Sequence, residues 1–345
     1  MSLARNTAIL EGFALETQDG LIFTVKGLIH PPEVVIAYLR YVPHPQGQRE
    51  RHGVRYRRVY HFPEQVRILE TRFPDYLFFD PVFGQRLQGV PRARLRRIYD
   101  PRRQLAELRR RGPTDAAEEA ALHFCELLGR VAGVPLACLG VSGSVLLGLH
   151  TPASDLDVVV YGSGPARRVY RALRTLLDDP AGEVTPLDEA GLQALHSAHA
   201  ADTGVPLPDF IRLQQRKVNE GRYRGREYFI RFVKDTAEVG EEYGDRRYAP
   251  LGPACIQARV WGDEEAILTP CCYQVEEVRF LAGSPVSDLR EVTSYRGRFA
   301  DQARIGEQII ARGELERVTW RNGTTYHRLI VGGRQGDYLI ARLHG

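Results

Sequence analysis

The chain has 345 residues, enough for two or three domains that each bury a core, and its composition excludes the collagenous, disulfide-framework and disordered classes. A net charge of +4 is too small by itself to identify a nucleic-acid binder, and it is carried almost wholly by arginine, with lysine only at Lys26, Lys217 and Lys234. None of the three lies in a Gly-x-x-x-x-Gly-Lys loop or a Lys-x-Asp-Gly motif, which excludes a P-loop phosphate site and a covalent lysyl-nucleotide mechanism.

Residues 1–112 are expected to form an N-terminal α+β domain. Strand-like runs at Leu21–Val25 and Val34–Leu39 alternate with turns at Asp19-Gly20 and Pro31-Pro32. The domain ends in a basic connector, Pro91 to Gly112, which carries nine arginines and is broken by Asp100-Pro101. Asp115 then stands three residues before Glu118, as in a capping box, and opens a core helix over Ala116–Arg130.

A second region, 113–239, continues with a strand at Leu136–Val141, a turn at Gly143-Ser144 and a strand at Asp155–Tyr161. Helices follow near 165–177, 188–200 and 209–219, and a last strand at Tyr228–Val233. The stretch Leu136–Leu149 is the most apolar, yet Gly140, Ser142, Gly143 and Ser144 interrupt it. It falls short of the ~18 apolar residues of a membrane span. Beyond residue 240 the pattern is β, with strands near 254–260, 275–281 and 308–315 and an Asn322-Gly323 hairpin. The third region, 240–345, is therefore expected to be a small barrel or sandwich, read either as an oligonucleotide-binding barrel with Tyr295, Arg296, Arg298 and Phe299 as stacking and phosphate contacts or as a structural cap on the preceding domain. With no apolar signal core at Met1–Arg5 and an odd set of five cysteines without Cys-x-x-Cys spacing, a cytoplasmic protein with reduced thiols and no membrane partner is expected.

The chemistry concentrates between Gly140 and Tyr161. Asp155 and Asp157, two apart on a strand, project from one face about 7 Å apart along the chain, close enough to share metal ions. Folding alone does not ask for them, because aspartate is a poor strand former and two like charges repel. A hard, oxygen-ligated cation such as Mg²⁺ or Mn²⁺ offsets that cost. Gly143 permits close backbone approach to a phosphate, and Ser144 with the following helical turn offers donors.

This arrangement of Gly143, Ser144, Asp155 and Asp157 resembles the signature of the DNA polymerase β superfamily of nucleotidyltransferases. The fuller form, Ser142-Gly143-Ser144 with Ser154-Asp155-Leu156-Asp157, also looks like an uncharacterised prokaryotic group of predicted nucleotidyltransferases. The resemblance implies an α+β fold, with a polymerase β-like core of mixed sheet and helices, flanked by the N-terminal α+β domain and the C-terminal β domain. It implies two-metal phosphoryl transfer from a nucleoside triphosphate such as ATP to a hydroxyl, releasing pyrophosphate. Asp155 and Asp157 would be catalytic and metal-binding, with Gly143, Ser144, Ser154 and Arg231 at the nucleotide. A third acid usually completes such a site from a later strand. Here Ile230-Arg231-Phe232 occupies the strand centre, so Asp235 is placed slightly ahead of Glu227 for that role.

Arg212, Arg216, Lys217, Arg222, Arg224 and Arg226, interleaved with Tyr223 and Tyr228, are read as a surface for RNA or DNA, against the plainer reading of a solvated face. Two further readings stay open: transfer to a small molecule or a protein side chain, and a catalytically weak nucleic-acid-binding or regulatory module with this fold. His196 and His199 have metal-compatible helical spacing but no third ligand nearby.

Overall fold

A computed structural model describes residues 8–199 and 204–342. In chain order it begins with β1 (Ala14–Thr17), β2 (Ile22–Val25), β3 (Val34–Pro43), β4 (Arg49–Arg51), β5 (Val54–Arg58), α1 (Phe62–Arg72), β6 (Leu77–Asp80), β7 (Gln85–Pro91) and β8 (Leu95–Tyr99). There follow α2 (Pro101–Arg111), α3 (Ala116–Ala132), β9 (Leu139–Val141), α4 (Gly143–Leu147), β10 (Leu156–Tyr161), α5 (Ser163–Leu177), β11 (Val184–Thr185), α6 (Glu189–His199), α7 (Leu207–Gln214), β12 (Glu220–Tyr223) and β13 (Arg226–Val233). The chain closes with β14 (Arg246–Glu265), β15 (Cys271–Ala282), β16 (Leu289–Ser294), β17 (Gln308–Trp320), β18 (Thr325–Ile330) and β19 (Tyr338–Arg342). The fold is mixed α+β, as expected.

The chain divides into two compact units that cut across the expected boundaries at 112 and 239. Of the described residues, 8–80, 85–176 and 223–243 form one, and 81–84, 177–199, 204–222 and 244–342 the other. The physical reason is a shared core. Phe13, Leu15, Phe23, Val35 and Leu39 from the N-terminal strands pack in one cluster with Val159, Tyr161 and Val233 from β10 and the end of β13. Gly12 allows this approach, because a Cβ there would stand 2.9 Å from Val159 Cγ2. A second cluster joins Tyr41, Tyr56 and Tyr99 to Leu146, Leu147 and Leu149. The N-terminal strands are thus built onto the strand and helix of the Gly-Ser and Asp-x-Asp motifs.

In this unit the N-terminal sheet runs β4-β5-β3-β2-β1-β8, with β7 on β3 and β6 on β7. The basic connector is not a loose tether: its first part is β8, paired antiparallel to β1, and Asp100 caps α2 by accepting from Arg102 N at 2.9 Å. Helix α2 rests on Gly140 of β9, where a Cβ would meet Pro101 Cβ at 2.5 Å. In α3, Asp115 accepts from the backbone N–H groups of Ala117 and Glu118. Glu118 does not reach back to complete a capping box; it accepts from Thr114 and Arg111 instead. The Cys125 thiol is buried in α3, and that burial pushes it up to about 12, in keeping with a packing role.

In the other unit, β14-β15-β16-β18-β17 returns to pair with β14, which closes a five-stranded ring, and β19 adds to β17. The expected small barrel is present. Its alternating residues Ile256, Ala258 and Val260 on β14 face Ile309, Ala311 and Leu315 on β17 in one core. The Asn322-Gly323 turn joins β17 to β18 through Gly323 at φ 86° and a bond from Thr324 N to Asn322 Oδ1. Among the described residues no helix is long and apolar enough to cross a membrane.

One ionic pair is sealed in the ring. Arg328 Nε donates to Glu316 Oε2 at 2.8 Å, with 3% and 1% of the two side chains exposed, and the guanidinium lies 3.8 Å from the Tyr248 ring centre. Breaking a buried pair leaves an uncompensated charge. Arg328→Met is therefore expected to lower unfolding free energy by about 3–5 kcal/mol, while adding Glu316→Leu to it recovers most of the loss, as measured by urea denaturation of the single and double variants.

Candidate active site

The site is set by three strands of the first unit. β10 pairs parallel with β13 (Asp157↔Phe229, Val159↔Arg231) and antiparallel with β9. The Ser142 N–H donates to the Asp157 carbonyl at 2.8 Å, which ties the start of the Gly-Ser turn to the second acid. Asp155 lies just ahead of β10 and is exposed, whereas Asp157 is the second residue of the strand and half-buried.

Gly143 has φ 60°, and a Cβ on it would overlap Asp157 Oδ2 and stand 2.6 Å from its Cγ. The glycine expected to admit a phosphate thus first admits the carboxylate of Asp157. Burial and the neighbouring Asp155 hold the Asp157 carboxyl above the usual aspartate range, against the opposing pull of Arg231, Arg58 and Arg40. Two hard oxygen donor groups, one against a glycine-backed recess and both costly to keep ionised together, suit a divalent cation. Among the described residues no group of three or more His, Cys, Asp or Glu side chains converges to hold a metal ion, so the pair stands without an assembled third ligand.

The strand register reverses the expected order of the third-acid candidates. Continuing it one step below Leu156↔Tyr228 sets Glu227 beside Asp155, and alternation gives Glu227, Phe229 and Arg231 the face shared by Asp155, Asp157 and Val159. Asp235 lies two residues past Val233 at the other end of β13, roughly 20 Å from Asp157 at ~3.3 Å per residue. Its carboxylate accepts from Thr236 N to cap a 3₁₀ turn and pairs with Arg102 at 3.3 Å. Asp235 is therefore a structural residue. Arg231 does share the face of the acids, where its Nε is 3.5 Å from Glu11 Oε1, and Glu11 is itself buried and bonded to Lys26 and to Gly27 N.

Ser144 is buried on α4. Ser154 is also buried, and its hydroxyl accepts from Thr151 N at 2.9 Å and from Arg49 Nη1 at 3.1 Å. Those bonds make Ser154 a brace of the loop before Asp155 rather than a free nucleotide donor. The same loop is held by Arg226, which donates to the Pro152 and Ser154 carbonyls at 2.7 Å each. Arg49 also reaches the Leu149 carbonyl, and Arg51 the Leu147 carbonyl. His150 bonds Asp115 at 2.7 Å.

The six basic residues read as a nucleic-acid surface are each engaged by neighbours within the protein. Arg212 pairs with Asp209, Arg216 with Glu307 at 2.6 Å, and Arg222 with Asp188 at 2.7 Å. Lys217 is buried and donates to the Arg298 carbonyl at 2.6 Å. Arg224 sits on a turn with its guanidinium 5.2 Å from the Tyr223 ring. Tyr223 and Tyr228 are buried against Phe124 at 4.8 and 4.9 Å and offer no face to a base. Phe299 in the β unit is likewise core. His196 bonds the Val205 carbonyl and packs on Phe210, and the side chain of His199 lies outside the described residues.

Sequence reasoning missed the N-terminal contribution. The signal was the arginine-dense hairpin Arg49 to Arg58, turned at His52-Gly53 with φ 51° and 75°. Two of its arginines brace the motif loop, and Arg58 acts electrostatically on Asp157.

Because Gly143 occupies left-handed backbone against the Asp157 carboxylate, Gly143→Ala is expected to cost about 1–2 kcal/mol from the backbone alone and to displace Asp157. Thermal unfolding should show a folded, destabilised protein, and titration with Mn²⁺ should show that the stabilising response to the ion is lost.

Residues 125–215 match the nucleotidyltransferase domain family. The chain is also 30% identical over 326 residues to "Uncharacterized protein MJ1086" of Methanocaldococcus jannaschii, covering 92% of this chain and 94% of the relative. No solved structure matches the chain. With the Gly-Ser turn and the paired aspartates meeting at one sheet, and with this domain match, the chain belongs to the polymerase β-like nucleotidyltransferases, in one family with its archaeal relative.

Proposed function

We propose that the protein is a Mg²⁺- or Mn²⁺-dependent enzyme that transfers a nucleoside monophosphate from a nucleoside triphosphate to a hydroxyl acceptor. The observation that carries this is the Asp157 carboxylate seated against Gly143, with Asp155 on the same face. Asp155 and Asp157 would hold the cation, and Glu227 is the residue of the neighbouring strand positioned by register to join them. A cation there supplies activation of the acceptor oxygen and charge compensation for the leaving pyrophosphate. In the transfer, the acceptor oxygen attacks the α-phosphorus, the bond to the bridging oxygen of the β-phosphate breaks, and the hydroxyl proton passes to a carboxylate or solvent. Gly143 and Ser144 would line the phosphate approach, and Arg231 would lie beside the α-phosphate with Glu11 fixing its guanidinium.

A nucleic-acid acceptor rests on the arginine-rich composition alone, because a net charge of +4 does not by itself identify one. The internal pairing of Arg212, Arg216 and Arg222 favours a second reading, a small-molecule or protein hydroxyl. Arg231 at the centre of β13, where the family often carries an acid, favours a third, a binding module with weak or no transfer. Labelled triphosphates offered with RNA, DNA, small hydroxyl compounds and proteins separate the three by which acceptor gains label. Asp155→Asn or Asp157→Asn is expected to lower transfer about a thousandfold, roughly 4 kcal/mol of barrier, with folding intact. Transfer that survives both substitutions sinks the assignment.

A pH and metal response follows from Asp157. Its carboxyl is raised in the folded state, so the fold binds an extra proton between the ordinary aspartate range and that raised value. Metal-free stability is accordingly expected to fall as pH rises through that window, and Asp157→Asn should abolish this fall. At a hundred times its Kd, the cation should stabilise the wild-type protein by about 2.7 kcal/mol and leave Asp157→Asn unmoved, as read by thermal unfolding across pH with and without Mn²⁺.

A further inference from the structure

Most arginines of the β4–β5 hairpin have their charge or donors engaged within the protein. Arg51 pairs with Glu16, Arg55 with Glu50 and Arg57 with Glu64, while Arg49 bonds a backbone carbonyl and Ser154. Arg58 is different. No carboxylate lies within ion-pair distance of it or of Arg40 on the adjoining strand, among the described residues, and Arg58 Nε is buried without a hydrogen-bond partner.

The two guanidiniums instead share one aromatic ring. Arg40 Cζ is 4.6 Å and Arg58 Cζ 4.2 Å from the centre of Tyr60, whose side chain is 55% exposed. The strands hold this arrangement: Tyr41 pairs with Arg58 across β3 and β5, and Val59 N donates to the Arg40 carbonyl at 2.9 Å. Two like charges on one ring repel, so an isolated fold gains little from the pair. Both also lie within electrostatic reach of Asp157. A dense anion bound by both would relieve the repulsion and use planar donors suited to phosphate oxygens.

Resting on the transferase reading, we infer that Arg40 and Arg58, on their Tyr60 platform, form the binding site for the β- and γ-phosphates of the incoming nucleoside triphosphate. The N-terminal sheet thereby supplies the cationic half of a site whose acidic half lies on β10. The α-phosphate would face Asp155 and Asp157, and the leaving pyrophosphate would remain on the two arginines when the bond to the α-phosphate breaks.

The test is equilibrium binding of inorganic tripolyphosphate and of a non-hydrolysable triphosphate to the full chain by calorimetry, which needs no turnover. Arg40→Met and Arg58→Met are each expected to weaken both ligands about tenfold to a hundredfold. Arg58→Lys should lose less, and Arg57→Met, at a residue already paired with Glu64, should change nothing. If a methionine variant does not fold by thermal unfolding, Arg58→Lys and Tyr60→Leu carry the same comparison.

Weakened tripolyphosphate binding with no acceptor ever labelled keeps this inference and removes the transferase reading. Transfer with an unchanged KM for nucleotide in the arginine variants does the reverse. Wild-type protein that ignores millimolar tripolyphosphate overturns the site. So does a loss confined to oligonucleotide binding, which would give the arginines to an acceptor backbone instead.

Discussion

The placement of the Asp157 carboxylate against the bare Cα of Gly143 is the constraint on which the rest of the site depends. It links two segments fourteen residues apart, and the Ser142–Asp157 backbone bond repeats the link one residue earlier. Any side chain at Gly143 separates them. Because the second acid is held by a turn rather than by a salt bridge, its charge is left uncompensated by direct contact, and burial beside Asp155 raises the cost of ionising it. Such a carboxylate has a standing preference for a proton or a cation.

Around that pair the protein builds a frame of arginines. Arg49 and Arg51 from β4 and Arg226 from β13 bond the carbonyls of residues 147–154, the loop that joins the two halves of the motif. Each guanidinium replaces backbone hydrogen bonds that a loop lacks. The loop is therefore pinned from two sides, and the N-terminal sheet is part of the body that carries the motif. That explains why the first eighty residues form one compact unit with β10 and β13.

The motif and its elements were legible in the sequence because their signals are local. The capping aspartate at 115, the strand 156–161, the helix 163–177 and the Asn322-Gly323 hairpin all follow from short-range chemistry and lie where they were expected. The closed β ring was legible as a class, from alternation and turns. Long-range pairing was not. Asp235 and Glu227 have the same parity on one strand, and only the parallel register of β13 with β10 shows that one sits by the acids and the other at the far end. The partners of the basic run 212–226 were hidden for a related reason: composition counts charges, whereas Asp188 and Glu307, which pair with Arg222 and Arg216, lie far from them along the chain.

The same accounting shows where cationic function remains. An arginine with a carboxylate beside it is already compensated, and burying that pair adds little net stability. Two arginines drawn to one aromatic ring with no carboxylate partner among the described residues lack that compensation, and the ring offsets only part of their mutual repulsion. Arg40 and Arg58 meet that description beside acids that themselves repel. Two unfavourable like-charge pairs of opposite sign, close together yet not neutralising one another by contact, are what a site for a metal-bound polyphosphate requires. On the proposed reading a cation would relieve the acids and phosphates the arginines, so that the ligand's own internal charge separation would match the protein's.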